Sequence, residues 1–331
     1  MARLVPNYPA AVAWRVCSAG SRGATIHAHF LQDAGGAWRY RQVMKDAHEI
    51  EGSSGPLESR DRARFWRAEA LNGLECLSAT FRKLEFAPHT HETFCIGVIE
   101  AGVQESRIRG SKVHAGAGTI YLINPDVIHE GRPAEDGYRY RMMYPSLEAL
   151  RSVAEDAAQR TMPKSFAFPE ETVLAPPLAE AFLALHRQIE AGGARLEIET
   201  HFQTLMLKLM NVFAGETIEV SSLRADSAVR QARDLLDARY RDDLSLTEVA
   251  DAVGLSRAHL IRAFRKEFGM PPHGWLTDRR IRAARGLLEQ GAAIADTAFD
   301  CGFADQAHLT RQFKARTGVT PAVYRNAHLE R

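Results

Sequence analysis

Residues 256–275 read SRAHLIRAFRKEFGMPPHGW, and residues 305–324 read DQAHLTRQFKARTGVTPAVY. Laid over each other without a gap, Leu260, Phe264, Gly269 and Pro272 recur as Leu309, Phe313, Gly318 and Pro321. The polar positions repeat too: Ala258-His259 answers Ala307-His308, Arg262 answers Arg311, Arg265 answers Lys314, and Trp275 has an aromatic counterpart in Tyr324. A period of this size marks two copies of one supersecondary unit. Each copy has a short helix, a glycine turn and a second helix with basic residues on its outer side, which is how a helix-turn-helix reads.

Upstream of the first copy, Leu244–Val253 carries Leu246, Val249, Ala250 and Val253 at helical spacing. Gly254 then permits a tight turn, and Ser256 suits the N-cap of the next helix. There Leu260, Phe264 and Phe268 are expected inside. Arg257, Ala258, His259, Ile261, Arg262, Arg265 and Lys266 are expected outside. The second copy runs from Ile294–Phe299 through Gly302 to the cap Asp305. Leu309 and Phe313 are expected buried, and Gln306, Ala307, His308, Thr310, Arg311 and Lys314 exposed. Between the copies, Pro272 opens a helix to about Leu288 carrying Arg279, Arg280, Arg282 and Arg285. Such a helix could hold the two second helices about 34 Å apart, one turn of DNA. Residues 226–331 carry 17 Lys+Arg against 14 Asp+Glu, so the argument rests on where the cations sit rather than on their number.

The segment from Ala228 to Arg325 resembles the DNA-binding domain of AraC/XylS-type transcription regulators. The residues that carry the resemblance are Leu246-Thr247-Glu248-Val249-Ala250, Gly254-Leu255-Ser256, Phe264-Arg265-Lys266-Glu267-Phe268-Gly269, Asp300-Cys301-Gly302-Phe303 and Thr317-Gly318-Val319-Thr320-Pro321, ending at Tyr324-Arg325. The resemblance implies base-reading positions at Ala258, Ile261 and Arg262 in the first copy, and at Gln306, Ala307, His308 and Arg311 in the second. Arg257 and His259 are further candidate DNA contacts. Ala258 and Ile261 could make only apolar contact, for instance with a thymine methyl. Arginine pairs twice with guanine, and glutamine does the same with adenine. His259 and His308 read either as DNA contacts or as packed or surface imidazoles, and the arginines of the connecting helix as solvated or phosphate-facing. The implied partners are double-stranded promoter or operator DNA, RNA polymerase and a second copy of the chain.

The N-terminal part has a different rhythm. Residues 1–60 read as a poorly structured extension, or as an over-long start with Met44 opening a more conventional chain. From 61 to 145, short stretches at Leu74–Phe81, Phe94–Ile99, Gln104–Arg109, Gly118–Ile123 and Tyr138–Tyr144 read as strands. They are separated by Ala101-Gly102, Gly110-Ser111, Gly116-Ala117-Gly118 and Asn124-Pro125, which points to a sandwich or small barrel. From 146 to 215 the period is helical. Leu178–Ile189 is one amphipathic helix and Leu196–Phe213 another. The stripe Phe202, Leu205, Met206, Leu209, Met210 and Phe213 suits either the core of a helix pair or a dimer seam. Residues 216–227 read as a linker, and 228–327 as the DNA-binding domain.

Within the strand-rich part, His89 and His91 point to one face of a strand, and His129 on another strand could complete a three-nitrogen site. That arrangement resembles the cupin barrel. Metal-bearing cupins add a glutamate shortly after the second histidine, where this chain has Cys95 and Ile96. Regulators of this type usually hold a small organic effector in the barrel without metal. The resemblance therefore implies an effector pocket at His89, His91 and His129, with no metal and no cofactor, the alternative being merely structural histidines. Phe94, Tyr121 and Tyr140, on candidate strands, are further candidates for its lining or else barrel core.

The fold class expected is α+β multidomain: a cupin-like β-barrel followed by helices, then an all-α double helix-turn-helix. A hydrophobic content of 45% and a charged content of 25% suit a soluble globular chain. No apolar run is long enough to span a bilayer. The four cysteines are scattered without a CxxC pair, as in a cytoplasmic protein with reduced thiols. No Ser-His-Asp order, phosphate loop or close carboxylate pair points to catalysis. The leading expectation is a ligand-responsive transcription regulator, an activator. The alternatives are a metal-dependent cupin enzyme with a DNA-binding appendage, and a constitutive DNA-binding regulator without effector.

Overall fold

The computed structural model describes residues 28–32, 38–42, 57, 61–159, 161, 166–214 and 226–329. Residues 1–51 form one compact unit and residues 52–331 another. In the first, β1 (Ala28–Gln32) pairs antiparallel with β2 (Trp38–Gln42), so part of the expected unstructured extension is a hairpin.

The second unit begins with an antiparallel sheet of eight strands. They are β3 (Arg62–Ala68), β4 (Leu74–Phe81), β5 (Phe86–His89), β6 (Cys95–Ile108), β7 (Ser111–Gly116), β8 (Thr119–Ile123), β9 (His129–Tyr144) and β10 (Thr172–Leu174). The spatial order is β10-β8-β6-β9-β4-β3, with β5 on β9 and β7 on β6. Two of the expected strands, Phe94–Ile99 and Gln104–Arg109, are one long strand. Ala101-Gly102, expected as a turn, is an irregularity inside it. Gly102 has φ +73°, and a Cβ there would lie 2.2 Å from the Gly137 carbonyl oxygen, so the glycine lets two strands touch while one bends. Alternation along β6 and β8 divides the core. Cys95, Ile99, Tyr121 and Ile123 face one cluster with Tyr138, Tyr140 and Met142. Ile96, Val98, Ile120 and Leu122 face the opposite side, under helices.

Those helices are α1 (Leu147–Ala158), α2 (Pro176–Glu190) and α3 (Arg195–Phe213). The stripe on α3 packs in this cluster beside α2 residues Leu178, Phe182, Leu185 and Ile189, so it is core within the chain. An ionic network fastens α2 to the sheet. Arg141 donates to Glu190 at 2.6 Å, to Glu100 at 3.2 Å and to His186 Nδ1 at 3.1 Å, and Arg187 also bonds Glu100. His186 is fully buried, and burial beside Arg141 lowers its pKa to about 4.

The C-terminal part contains α4 (Asp226–Ala238), α5 (Leu246–Ala252), α6 (Arg257–Phe268), α7 (Pro272–Glu289), α8 (Ile294–Asp300), α9 (Gln306–Thr317) and α10 (Pro321–Leu329). Its two motifs have separate cores, one around Leu260, Phe264 and Leu276, the other around Leu309, Phe313 and Leu288. No helix among the described residues is long and apolar enough to cross a membrane.

Two contacts tie the motifs together. The guanidinium of Arg280 on α7 is buried and donates to the carbonyls of Tyr240 and Asp242 at 2.6 and 2.8 Å. Gly302, in the second turn, has φ +76°, and a Cβ there would sit 2.6 Å from the Arg241 carbonyl oxygen. Gly302→Ala is therefore expected to strain the backbone and push the motifs apart, costing about 2 kcal/mol. Chemical denaturation followed by circular dichroism should show a lower midpoint, whereas Gly286→Ala, on an open helix face, should not lower it.

Candidate functional site

The second copy closely follows the sequence reading. Asp305 caps α9 by accepting from the His308 N–H at 2.6 Å. Leu309 and Phe313 are fully buried, while Gln306, Ala307, Arg311 and Lys314 are exposed. His308 departs from the expected exposure. It is buried, set edge-on to Phe303 at 5.3 Å, and desolvation lowers its pKa. It packs rather than presenting itself to a groove.

The first copy differs more. Ser256 caps α6 through the His259 N–H, and Arg262, Arg265 and Lys266 are exposed. Ala258, His259 and Ile261, expected outside, are only 5%, 4% and 7% exposed. Helices α1 and α3 pack against α6; Ala258 belongs to the apolar cluster of the N-terminal half, and Ile261 to the first motif's own core together with Leu196 of α3. Arg257 is held as well. Its Nε donates to Asp156 Oδ1 at 3.1 Å, and its Nη2 donates to Ser152 Oγ and the Ser152 carbonyl at 3.2 Å.

Asp156 also receives the start of α6. Its Oδ1 accepts from the Arg257 N–H and its Oδ2 from the Ala258 N–H, both at 3.0 Å. With Ser256 on the third, the first three N–H groups of α6 are all paired. The side chain of Asp156 is only 15% exposed, and Gln203 on α3 donates to it at 3.2 Å. The preceding helix is held in the same way: α5 has a capping box of Ser245 and Glu248, and its Leu246 N–H donates to Glu199 of α3. Two carboxylates from the N-terminal half thus sit at the positive ends of both helices of the first motif. One sequence signal could have flagged this. Ile261 stands where the second copy has Thr310, an apolar residue on a face read as polar.

The connecting helix offers fewer cations than its sequence implies. Arg280 is inside, contrary to the solvated or phosphate-facing reading. Arg279 lies over the Tyr240 ring at 4.3 Å, Arg282 pairs with Asp278 at 3.1 Å, and Arg285 bonds the Tyr324 hydroxyl at 3.0 Å.

In the sheet domain, a cavity of about 100 Å³ is lined by His89, His91, Tyr121, His129, Tyr140 and Tyr144, among others. Phe94 lies elsewhere. It is fully buried on the helix side, stacked on Phe166 at 5.1 Å, because it alternates away from Cys95. The histidines converge through pairing: His89 and His129 are directly opposite across β5 and β9, and the Asp126 N–H donates to the His91 carbonyl at 2.9 Å. The ring centroids are 4.4 to 5.3 Å apart. His89 Nδ1 donates to the Ala87 carbonyl at 2.7 Å and His129 Nδ1 to the Val127 carbonyl at 2.9 Å. Since a carbonyl only accepts, the Nε2 atom of each neutral ring carries a lone pair. Burial, then the other two rings, lowers the pKa of His91 to about 4, and burial lowers that of His129. Imidazoles so arranged fit a divalent cation or a ligand rich in hydrogen-bond donors. Glu92 is exposed, and the lining carboxylate Glu130 pairs with Arg107 at 3.3 Å.

Comparison with known proteins agrees with this division. The AraC-like ligand binding domain matches residues 71–206, and a helix-turn-helix domain matches residues 249–327. The HTH-type transcriptional regulator YbfI of Bacillus subtilis (strain 168) is 28% identical over 230 residues, 68% of this chain and 82% of that protein. The HTH-type transcriptional activator RhaS of Klebsiella pneumoniae (strain 342) is 22% identical over 241 residues, 71% of this chain and 86% of that one. Among solved structures, the C-terminal domain of AraT, a response regulator from Geobacillus stearothermophilus, is 30% identical with a TM-score of 0.30, covering 32% of this chain and 88% of that one. The chain belongs to the AraC/XylS family of transcription regulators, with an AraC-like ligand-binding domain followed by a DNA-binding pair of helix-turn-helix motifs.

Proposed function

We propose that this regulator is switched by a compact ligand in the sheet-domain cavity, and that the arrangement described above is its closed form. The observation that carries the reading is the Asp156 carboxylate at the start of α6. A helix N-terminus is a ready anion site, and DNA-reading helices bring their first residues to the groove. Here that anion site holds a side chain of the same chain, and Ala258, His259 and Ile261 are covered. The first motif can read bases only after α1 moves off.

The cavity has a short route to α1. Strand β9 carries His129, Tyr140 and Tyr144 past the cavity, and passes through Pro145 and the cap Ser146 directly into α1. Tyr144 lies 5.3 Å from the His91 ring, and the Phe94 N–H holds the Pro145 carbonyl at 3.0 Å. A ligand seated among the histidines therefore acts on the residue next to the hinge of α1. It must bind the open form more tightly to shift the balance. At about 100 Å³ the cavity suits a small molecule rather than a drug-sized one. The open form is the one we assign to activation, with RNA polymerase and a second copy of the chain as partners on operator DNA.

A metal-dependent cupin enzyme is the second reading, favoured by the convergence of His89, His91 and His129. Against it, of the carboxylates near the cluster among the described residues, Glu92 is exposed and Glu130 pairs with Arg107.

Two outcomes test the leading reading in a gel-shift or anisotropy assay on operator DNA obtained by binding-site selection. Asp156→Asn keeps the shape but turns one acceptor into a donor facing the helix N–H groups. It should raise operator affinity roughly tenfold without effector; equal or weaker binding contradicts the closed-form reading. Arg262→Ala and Arg311→Ala should each weaken specific binding by about 1–3 kcal/mol. Unchanged binding of both would remove their base-reading role.

A further inference from the structure

We propose that Glu197, His201 and His273 form a binding site for a divalent transition-metal ion, zinc by preference, that bridges the ligand-binding half to the DNA-binding half. Glu197 and His201 are four residues apart on α3, and therefore on one helix face. His273 comes from the first turn of α7, the helix that connects the two DNA-binding motifs. One ligand atom from each residue lies within 4.8 Å of the others. Tetrahedral zinc with bonds of about 2.0–2.1 Å needs such atoms about 3.4 Å apart, a gap that side-chain rotation closes.

The surroundings prepare two of the donors. His201 Nδ1 lies 2.9 Å from Gln188 Oε1, an oxygen that can only accept, so the ring is held with its Nε2 lone pair free. Gln188 hydrogen-bonds Glu197 as well, so one amide orients two ligands from outside, as metal sites require. His273 stands 4.8 Å from the His201 ring, and its Nδ1 is buried with no hydrogen-bond partner. An orphaned buried nitrogen is costly, and an ion would satisfy it. Two imidazoles and one carboxylate, with a fourth position left for water, are donors that zinc accepts readily.

Arg265 and Arg316 lie near enough to oppose the ion. Their charge makes this an exchangeable site rather than a permanently filled one. Because its ligands come from α3 and α7, a bound ion favours the arrangement in which α3 stays on the DNA-binding half. Metal and operator DNA should therefore compete. That coupling rests on the closed-form reading, whereas occupancy of the site does not.

The test is a Co2+ titration of the chelator-treated full-length protein, read by visible ligand-field absorption and by Zn2+ competition. The expected result is a saturable, low-symmetry Co2+ spectrum without thiolate charge-transfer bands. It should persist in a His89→Ala/His91→Ala double variant and weaken at least tenfold in His273→Gln and in Glu197→Gln. Glu197→Gln preserves side-chain size, and far-UV circular dichroism of each variant confirms its fold. A spectrum lost in the double variant but kept in His273→Gln, or no saturable binding, overturns the site. In the DNA arm, Zn2+ should lower operator affinity of the wild type about fivefold or more and leave His273→Gln unaffected. If Co2+ binds as expected but Zn2+ leaves operator affinity unchanged, the coupling is overturned and the site stands.

Discussion

A helix begins with N–H groups that no helical carbonyl can reach, and something must accept from them. For the first DNA-reading helix of this protein the acceptor is Asp156, a carboxylate from the ligand-binding half, placed where the positive end of the helix would otherwise meet a phosphate. On the closed-form reading we propose, the two anions would compete for one site, and the aspartate, attached to the same chain and well shielded, would hold it until α1 is displaced. Charge-assisted hydrogen bonds of this kind contribute about 1.5–3 kcal/mol each, enough for a few of them to hold a domain in place and few enough for one ligand to undo.

The two motifs are consequently unequal. The second presents Gln306, Ala307 and Arg311 to solvent, while in the first Arg257 is held by Asp156 and Ala258 is buried, with Arg262 exposed. Arg280 and the close approach at Gly302 fasten the second motif to the first, so freeing α6 delivers both helices as a unit. Family membership and the duplicated motif account for DNA binding. On the closed-form reading we propose, the asymmetry between the copies would make such binding depend on a signal.

Much of this was legible in the residues. The duplication, the caps Ser256 and Asp305, the glycine turns and the apolar stripes are local signals, and a helix start depends on little beyond its first turn. The histidines at 89, 91 and 129 stood out as a group, although β5 ends at His89, so His91 joins them from beyond the strand, where its carbonyl accepts from the Asp126 N–H, and not by alternation. What failed depended on distant contacts. Gly102 reads as a turn, yet it serves a close crossing with Gly137 some thirty residues on. Phe94 falls one position out of phase with the cavity. Arg280 looks like one more surface cation because the two carbonyls it serves lie about 40 residues earlier. Ala258 is buried against the apolar cluster of the ligand-binding half whereas its counterpart Ala307 is exposed, and no local rule reports that.

Hydrogen exchange measured by mass spectrometry on α1 and α6, with and without operator DNA, addresses the competition at Asp156 most directly. The account predicts that saturating DNA leaves the amides at the start of α6 protected while residues 152–158 of α1 lose protection, since the helix changes its anion and α1 loses its partner. Undiminished protection across α1 in the DNA complex would mean that both contacts coexist, and that the closed form described here is no barrier to DNA.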